Sequence, residues 1–144
     1  MAQTARITLD SGSTIDIAFY PADAPKTVEN FVTLAKKGFY NGLTFHRVVP
    51  DSVVQGGCPK GDGTGGPGYT IPAEFNAQKH LRGSVAMARS QHPDSAGCQF
   101  YICYGATPHL DKNYTVFGTV TSGMEHVDRI KQGDRMKTVE IVEA

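Results

Sequence analysis

The stretch Phe45-His46-Arg47-Val48-Val49-Pro50, which runs on to Gln55-Gly56-Gly57, decides how the rest of the chain is interpreted. Its apolar residues alternate with a period of two, which is typical of a β-strand. The alternation predicts that Arg47 shares one strand face with Phe45 and Val49, and that the residues between them lie on the other face. A lone arginine in a strand is more often a solvated edge residue or half of a surface ion pair. A functional role for this cation therefore needs support from the rest of the chain.

Length and composition indicate a single globular domain. The 144 residues can bury a sizeable core without disulfides or metal. With 16 glycines, 8 prolines and 40% hydrophobic residues, the chain has the composition of a compact, turn-rich β protein. Its 14 Lys and Arg balance 14 Asp and Glu, so no net charge attracts it to nucleic acid or an anionic membrane. We therefore expect an uncharged or mixed partner, with no nucleic acid and no membrane.

The cellular location is expected to be the cytoplasm. No apolar core follows the first residues, and no run approaches the roughly 18 apolar residues of a membrane helix. The three cysteines, Cys58, Cys98 and Cys103, form an odd set without a C-x-x-C pair. Free thiols in a reducing compartment explain this set better than a disulfide framework. We expect a soluble, unexported monomer.

Eight short stretches carry β-type patterns, separated by glycine, proline and small polar residues. The first two, at 4–9 and 14–19, are joined by Asp10-Ser11-Gly12-Ser13 and predict a hairpin. The remaining stretches lie at 43–49, 53–55, 84–88, 99–103, 115–120 and 138–142.

Two helices are predicted between these strands. Val28, Phe31, Val32 and Ala35 follow the i, i+3, i+4, i+7 spacing of an amphipathic helix, and Gly38 is placed to end it. A second helix is indicated by a capping box, Ser122-Gly123-Met124-Glu125, followed by Val127 and Ile130 and closed by Gly133.

Strands and helices in this order favour a mainly β fold. Eight strands with two helices, and no βαβ rhythm or internal repeat, predict a closed eight-stranded antiparallel β-barrel capped by two α-helices. Closure would also remove exposed strand edges. Side chains fill the interior of a barrel of this size, so a ligand is expected in a surface groove.

Other kinds of site find little support. The glycine-rich segment 61–68 suggests a phosphate-binding loop, but it lacks a Gly-Lys-Ser/Thr ending and is better interpreted as a long surface loop. The five histidines show no metal-ligand spacing with each other or with the cysteines, so we expect no metal and no cofactor. His46 is interpreted as an interior histidine bonded to backbone. No Gly-x-Ser-x-Gly nucleophile elbow occurs, so hydrolase activity is unsupported.

A set of polar and apolar residues recurs on predicted strand faces. Val53 and Gln55 share one face, as do Gln99 and Tyr101. If these faces meet that of Arg47, they form a groove with apolar walls, two amide side chains and one guanidinium. Each member taken alone is explained equally well as a core or surface residue.

Six ordered segments, together with Pro25-Lys26-Thr27-Val28-Glu29-Asn30-Phe31, closely resemble the cyclophilin family of peptidyl-prolyl cis/trans isomerases. The resemblance covers nearly the whole chain, so that residues 1–144 form one cyclophilin-type domain like those of compact bacterial members. The six segments are Phe45 to Pro50, Gln55 to Gly57, Gly63 to Gly66, Ser84 to Ala88, Gln99 to Ile102 and Val116 to Gly118.

The resemblance implies a site as well as a fold. It suggests Arg47 as the catalytic cation and Gln55 as its neighbour. It also implies a groove that binds proline-containing peptides and unfolded protein chains. The implied roles are walls of the proline pocket for Val53, Tyr101 and Leu110, contacts with the peptide backbone for Ala88, Arg89 and Gln99, and the rim of the groove for His109 and Tyr114. The implied function is isomerisation of X-Pro bonds, which assists protein folding.

Several residues depart from the family pattern. Ser52 stands where a phenylalanine often lines the proline pocket, which removes apolar area worth roughly 1.5–3 kcal/mol if fully lost. His109 replaces a frequent tryptophan and Tyr114 a frequent histidine, so weak cyclosporin binding is expected. Arg89 replaces a frequent asparagine, which suggests an altered preference beside the proline. Because of Ser52, a proline-peptide binding or chaperone module with weakened catalysis stays open as the alternative.

Overall fold

Eight strands and two α-helices form the fold, which a computed structural model describes for residues 3–143. The strands are β1 (Gln3–Leu9), β2 (Thr14–Phe19), β3 (Arg47–Val49), β4 (Val53–Gly56), β5 (Ser84–Met87), β6 (Phe100–Cys103), β7 (Val116–Ser122) and β8 (Met136–Glu143). The helices are α1 (Pro25–Lys36) and α2 (Met124–Val127), and a 3-10 turn spans Pro108–Leu110. The predicted number of strands and helices is confirmed, although several ends differ.

The strands pair antiparallel in one sheet with the order β3-β4-β6-β5-β7-β2-β1-β8. The predicted closure is wrong, because the sheet is an open half-barrel that turns through 204° with β3 and β8 at its edges. Backbone groups of residues 42–45 bond to residues 133–136, around a single bridge between Thr44 and Arg135. The segment that precedes β3 therefore contacts the turn that precedes β8. The strand β3 itself is only three residues long and does not pair with β8.

Both faces of the sheet are covered near its β4, β6 and β5 strands. Along β6, Phe100 and Ile102 enter the main core, which also receives the apolar residues of α1. Tyr101 and Cys103 point to the opposite face, as expected from strand alternation. There they form a second apolar cluster, called here the outer cluster, with Val53, Ala86 and Val116. All residues of β6 are therefore buried.

Helix α1 obtains its N-terminal cap from a distant part of the chain. Its own N-cap residue, Ala24, has no side chain that can accept a hydrogen bond. The Glu74 carboxylate instead accepts bonds from the backbone N–H groups of Lys26 and Thr27, at 3.2 and 2.7 Å, and from the Thr27 hydroxyl at 2.8 Å. A negative charge at this end of a helix is also favoured by the helix dipole.

Helix α2 is shorter than predicted and starts differently. The predicted capping box is wrong, because Ser122 is the last residue of β7 and no side chain caps the helix. Gly123 is the N-cap residue, with a left-handed φ of 87° and so little space that a Cβ would lie 2.2 Å from the Thr14 carbonyl oxygen. The helix ends at Val127 rather than near Gly133. Within residues 3–143, neither helix has the length and apolar character needed to cross a membrane.

Candidate functional site

The hairpin of β3 and β4 places Arg47 directly opposite Gln55. Its turn is closed by a bond from the Ser52 N–H to the Val49 carbonyl at 3.0 Å, with Asp51 at a left-handed φ of 62°. Because residues opposite each other in an antiparallel pair project to the same side, the guanidinium and the amide meet above the outer cluster. Arg47 itself is exposed to solvent.

Phe45 does not share the face of Arg47, contrary to the prediction. Its ring is fully buried in the main core, where Val48 also packs. The reason is that β3 begins only at Arg47, whereas the Phe45 N–H donates to the Asp134 carbonyl at 2.8 Å. The alternation therefore does not continue through residue 45. A Cβ at Gly56 would lie 2.8 Å from the Phe45 ring, which explains the glycine there.

A cavity of about 240 Å³ opens beside Arg47 on the outer face of the sheet. It gathers every predicted site residue except Gln99. The lining residues are Arg47, Val49, Ser52, Val53, Gln55, Ala88, Arg89, Tyr101, His109, Leu110 and Tyr114. The residues implied by the family resemblance thus come together from β3, β4, β6, the 3-10 turn and two loops.

A second cavity of about 300 Å³ adjoins the first and contains Gln99. The two cavities share Gln55, Ala88 and Arg89. The glycine-rich segment 63–66 lines the second cavity as a surface loop, as predicted.

A chain of amide hydrogen bonds connects Arg47 to this glycine-rich loop. Nη1 of Arg47 donates to Oε1 of Gln55 at 3.3 Å, and Nε2 of Gln55 donates to Oε1 of Gln99 at 2.9 Å. Nε2 of Gln99 then donates to the carbonyls of Gly63 and Gly65, at 3.0 and 2.9 Å. Since both Gln99 amide hydrogens have carbonyl acceptors, its oxygen must face Gln55. The loop therefore determines the orientation of both amides beside the guanidinium.

Two residues that sequence reasoning missed lie behind the cavity wall. His80 is buried, with Nε2 2.8 Å from the Tyr101 hydroxyl and Nδ1 2.9 Å from Oδ1 of Asp111. Burial lowers the pKa of His80, although the Asp111 carboxylate acts in the opposite direction. The available signal was the hydroxyl of Tyr101, because a buried tyrosine usually requires a hydrogen-bond partner.

Arg89 holds two loops together at the junction of the cavities. Its Nε and Nη2 donate to the Asn113 carbonyl at 3.2 and 2.6 Å. Nη1 donates to the carbonyls of Ser90 and Gln91 at 2.9 and 3.2 Å. The guanidinium carbon lies 4.5 Å from the ring centroid of Tyr114, within the range of a cation–π contact.

The cysteines are buried and unpaired, as expected from their odd number. Burial acts to raise the pKa of the Cys58 thiol, but backbone N–H groups of the glycine-rich loop, with Gly65 foremost, outweigh it and lower this pKa. Burial raises the pKa of Cys98 to about 12 and that of Cys103 to about 11.

Within residues 3–143 the His46 ring makes no hydrogen bond to backbone, contrary to the prediction. Among the described residues, its buried Nδ1 has no hydrogen-bond partner. Burial, followed by the nearby charge of Arg47, lowers the pKa of His46.

Comparison with known proteins identifies relatives along almost the entire chain. Residues 4–144 match the model of the family "Cyclophilin type peptidyl-prolyl cis-trans isomerase/CLD". A peptidyl-prolyl cis-trans isomerase of Helicobacter pylori is 50% identical, over 96% of this chain and 88% of the relative. Peptidyl-prolyl cis-trans isomerase B of Bacillus subtilis is 49% identical, over 96% of this chain and 98% of the relative.

Solved structures agree with the sequence relatives. A crystal structure of a cyclophilin type peptidyl-prolyl cis-trans isomerase of Cryptosporidium parvum superposes with a TM-score of 0.91 at 27% identity, covering 100% of this chain and 99% of the other. A second structure of that protein, in the presence of the dipeptide Ala-Pro, has a TM-score of 0.89 at 26% identity, covering 98% and 99%. This chain belongs to the cyclophilin family and is a cyclophilin-type peptidyl-prolyl cis-trans isomerase.

Proposed function

We propose that the 240 Å³ cavity binds a substrate proline and that Arg47 accelerates rotation of the X-Pro bond beside it. The observation that carries this proposal is the guanidinium of Arg47, which lies next to a pocket with Val53, Tyr101 and Leu110 in its lining. Within the described residues, Arg47 has a single side-chain hydrogen bond, the 3.3 Å contact with Gln55. Its remaining N–H groups are available to a substrate.

The chemistry requires only a donor at the right place. Rotation about a peptide C–N bond is opposed by about 18–20 kcal/mol because the nitrogen lone pair is delocalised, and uncatalysed X-Pro exchange takes tens to hundreds of seconds. A guanidinium that donates towards the prolyl nitrogen favours a localised lone pair and so stabilises the twisted amide. Only interactions stronger in that twisted state speed rotation. No covalent bond or proton abstraction is needed.

The other cavity residues receive binding roles in this proposal. The proline ring packs against Val53, Tyr101 and Leu110 while the carbonyl side turns. The remaining contacts are assigned as follows: Ala88, Arg89 and Gln99 to the peptide backbone, Gln55 to the neighbourhood of the guanidinium, and His109 and Tyr114 to the rim. The Cryptosporidium protein solved in the presence of Ala-Pro supports a proline-containing ligand.

We further propose that the protein acts as a cytoplasmic monomer on unfolded chains, where X-Pro exchange is a slow folding step. The three unpaired thiols are consistent with a reducing compartment. Cyclosporin is expected to bind weakly, because His109 and Tyr114 occupy rim positions where the family often has tryptophan and histidine. Nanomolar inhibition by cyclosporin would contradict this expectation.

A binding or chaperone module with weakened catalysis is the second candidate, and the position of Ser52 favours it. Ser52 lines the cavity and contributes a hydroxyl where the family often places a phenylalanine. A loosely held proline would reduce the benefit of Arg47. Retention of Arg47 itself favours the enzyme.

NMR exchange spectroscopy on an Ala-Pro peptide distinguishes the two candidates. We expect Arg47→Ala to lower the catalysed exchange rate by about 100-fold, the loss typical of a single transition-state donor. Arg47→Lys should also be impaired, because a lysine lacks the planar fork. Arg129→Ala, a change at an exposed arginine outside both cavities, is the matched control and should leave the rate unchanged. Equal rates for the wild type and Arg47→Ala, both above the uncatalysed rate, would contradict the role of Arg47. Equal rates at the uncatalysed level, with peptide binding retained, would support the binding module instead.

A further inference from the structure

The residues that line the two adjoining cavities carry charge of one sign only. Arg47 and Arg89 line the first cavity and Arg89 also lines the second, whereas no aspartate or glutamate among residues 3–143 lines either. This bias is local, because the whole chain has equal numbers of acidic and basic residues. A concave surface lined by one sign of charge concentrates the field there and attracts ligands of the opposite sign.

Arg89 is the cation that both cavities share, and its charge has no carboxylate partner. None of the ion pairs within the described part of the chain includes Arg89 or Arg47. Carbonyl oxygens orient the Arg89 guanidinium without neutralising it. Nε donates one hydrogen bond, Nη1 two and Nη2 one, so that one N–H of the five that a guanidinium offers remains free.

This arrangement makes Arg89 an immobile charge rather than a flexible surface side chain. Its bonds to Ser90, Gln91 and Asn113 fix it in two loops, and the contact with Tyr114 places it against the first cavity. A preorganised guanidinium loses little side-chain entropy when it receives a carboxylate.

We propose that this isomerase prefers X-Pro segments with an acidic side chain within two residues of the proline, and that Arg89 recognises its carboxylate. The inference rests on the proposed function, since it requires the substrate proline to occupy the first cavity. The adjoining position of the second cavity, which shares Arg89, then provides space for a neighbouring substrate side chain. A lysine at the same substrate position would meet a like charge without a compensating acid.

The test compares peptides that differ at one residue, where Glu and Gln are nearly equal in size and Lys reverses the charge. Xaa is Glu, Gln or Lys in Xaa-Ala-Pro-Phe, Ala-Xaa-Pro-Phe and Ala-Ala-Pro-Xaa, and kcat/KM is measured by NMR exchange and divided by the uncatalysed rate. We expect the wild type to favour Glu over Lys by about fivefold in at least one series, the size of a partly screened charge interaction. The ratio should shrink at 1 M salt, where the screening length is about 3 Å.

Variants then assign the preference to Arg89. Arg89→Gln should reduce the Glu-to-Lys ratio, whereas Arg89→Lys should retain most of it even if both rates fall with the loss of the loop contacts. Arg129→Gln makes the same charge change outside both cavities and should leave the ratio intact. A wild-type ratio near one in all three series, or a ratio that Arg89→Gln does not change, would overturn the proposal.

The neutral peptide Ala-Ala-Pro-Phe keeps the two proposals separable. If the wild type and Arg47→Ala isomerised that peptide at the same rate, the proposed function would be contradicted. Equal catalysis of the Glu and Lys peptides would contradict only the acidic preference. Peptide affinity from NMR titration gives the same Glu-to-Lys comparison if catalysis is too slow to measure.

Discussion

The Tyr101 hydroxyl lies 2.8 Å from Nε2 of the buried His80, and the two rings stack with centroids 5.9 Å apart. Because the Asp111 carboxylate can only accept, His80 donates from Nδ1 and its Nε2 accepts the Tyr101 proton. Asp111 also accepts a bond from the His80 backbone N–H at 2.7 Å. Two residues outside the cavity thus hold one of its walls in place.

Removal of the Tyr101 hydroxyl should weaken this wall. Tyr101→Phe should destabilise the protein by about 1–3 kcal/mol, because the buried Nε2 of His80 loses its donor. Urea unfolding monitored by circular dichroism measures the change. Tyr20→Phe is the matched control, since Tyr20 packs against the same outer cluster and its hydroxyl makes no hydrogen bond within the described residues. Equal unfolding free energies for both variants would show that the His80 bond contributes nothing.

Stability should fall on acidification because the pKa of His80 is lowered by burial from its ordinary value of 6.5. Well above pH 6.5 the ring is neutral in both the folded and unfolded states, so it contributes no pH dependence there. Below that pH the unfolded chain binds a proton that folded His80 resists, so the unfolding free energy decreases until the folded pKa is reached. The lowered pKa of His46 acts in the same direction.

Unfolding curves between pH 8 and 5 test this prediction. The wild-type free energy should decrease on the acidic side, and His80→Asn should show a shallower decrease. His92→Asn, at an exposed position, is the matched control. NMR titration of the His80 ring in the intact protein gives a second readout that does not depend on a variant folding. A folded-state His80 pKa above 6.5 would contradict the prediction.

The amide chain beside Arg47 leads to a third prediction. Gln99→Ala should lower kcat/KM at least fivefold, the equivalent of about 1 kcal/mol for one hydrogen bond, because Gln55 loses the partner that orients it and the substrate backbone loses its proposed contact with Gln99. Exchange kinetics on the Ala-Pro peptide provide the measurement. Gln91→Ala removes an exposed amide side chain nearby and should have no effect. Unchanged kinetics in Gln99→Ala would mean that Gln55 is held without this chain.

Restoring apolar area at Ser52 should tighten substrate binding. Ser52→Phe places a ring in the cavity lining, and full burial of a phenylalanine is worth roughly 1.5–3 kcal/mol. We expect KM for the Ala-Pro peptide to fall, with a smaller change in kcat because the ring acts on bound substrate and twisted state alike. Ser52→Ala serves as the control and should change KM little. A raised KM in Ser52→Phe would indicate that the ring obstructs the cavity.

The cap that Glu74 supplies to α1 gives the fifth prediction. Glu74→Ala should destabilise the fold by about 1–2 kcal/mol, because two backbone N–H groups of the first helical turn lose their acceptor. Glu29→Ala, at an exposed position of the same helix, should cost much less. Thermal unfolding of both variants makes the comparison. A loss as large in Glu29→Ala would rule out capping as the cause.

Strand alternation predicted part of the site, and the family resemblance supplied the residues in loops and in the 3-10 turn. Gln55 and Val53 on β4 and Tyr101 on β6 belong to one face, and the structure brings them together in one cavity with Arg47. The prediction for Phe45 was wrong because the strand alternation does not extend to this residue, whose N–H donates to the Asp134 carbonyl. His80 and Asp111 were missed because neither has a local pattern that indicates its partner, which is Tyr101 for His80 and His80 for Asp111.

The sequence by itself determined the strands, the first helix and the family motifs, since periodicity and turn residues act over a few positions. Tertiary structure alone decided three features: the open edges at β3 and β8, the cap that Glu74 provides for α1, and the Tyr101–His80 bond. Glu74 lies 47 residues from Thr27, whose N–H it accepts. The physical reason is that a hydrogen bond depends on where two groups meet in space. Local hydrophobic periodicity does not show which residues far apart in sequence come into contact.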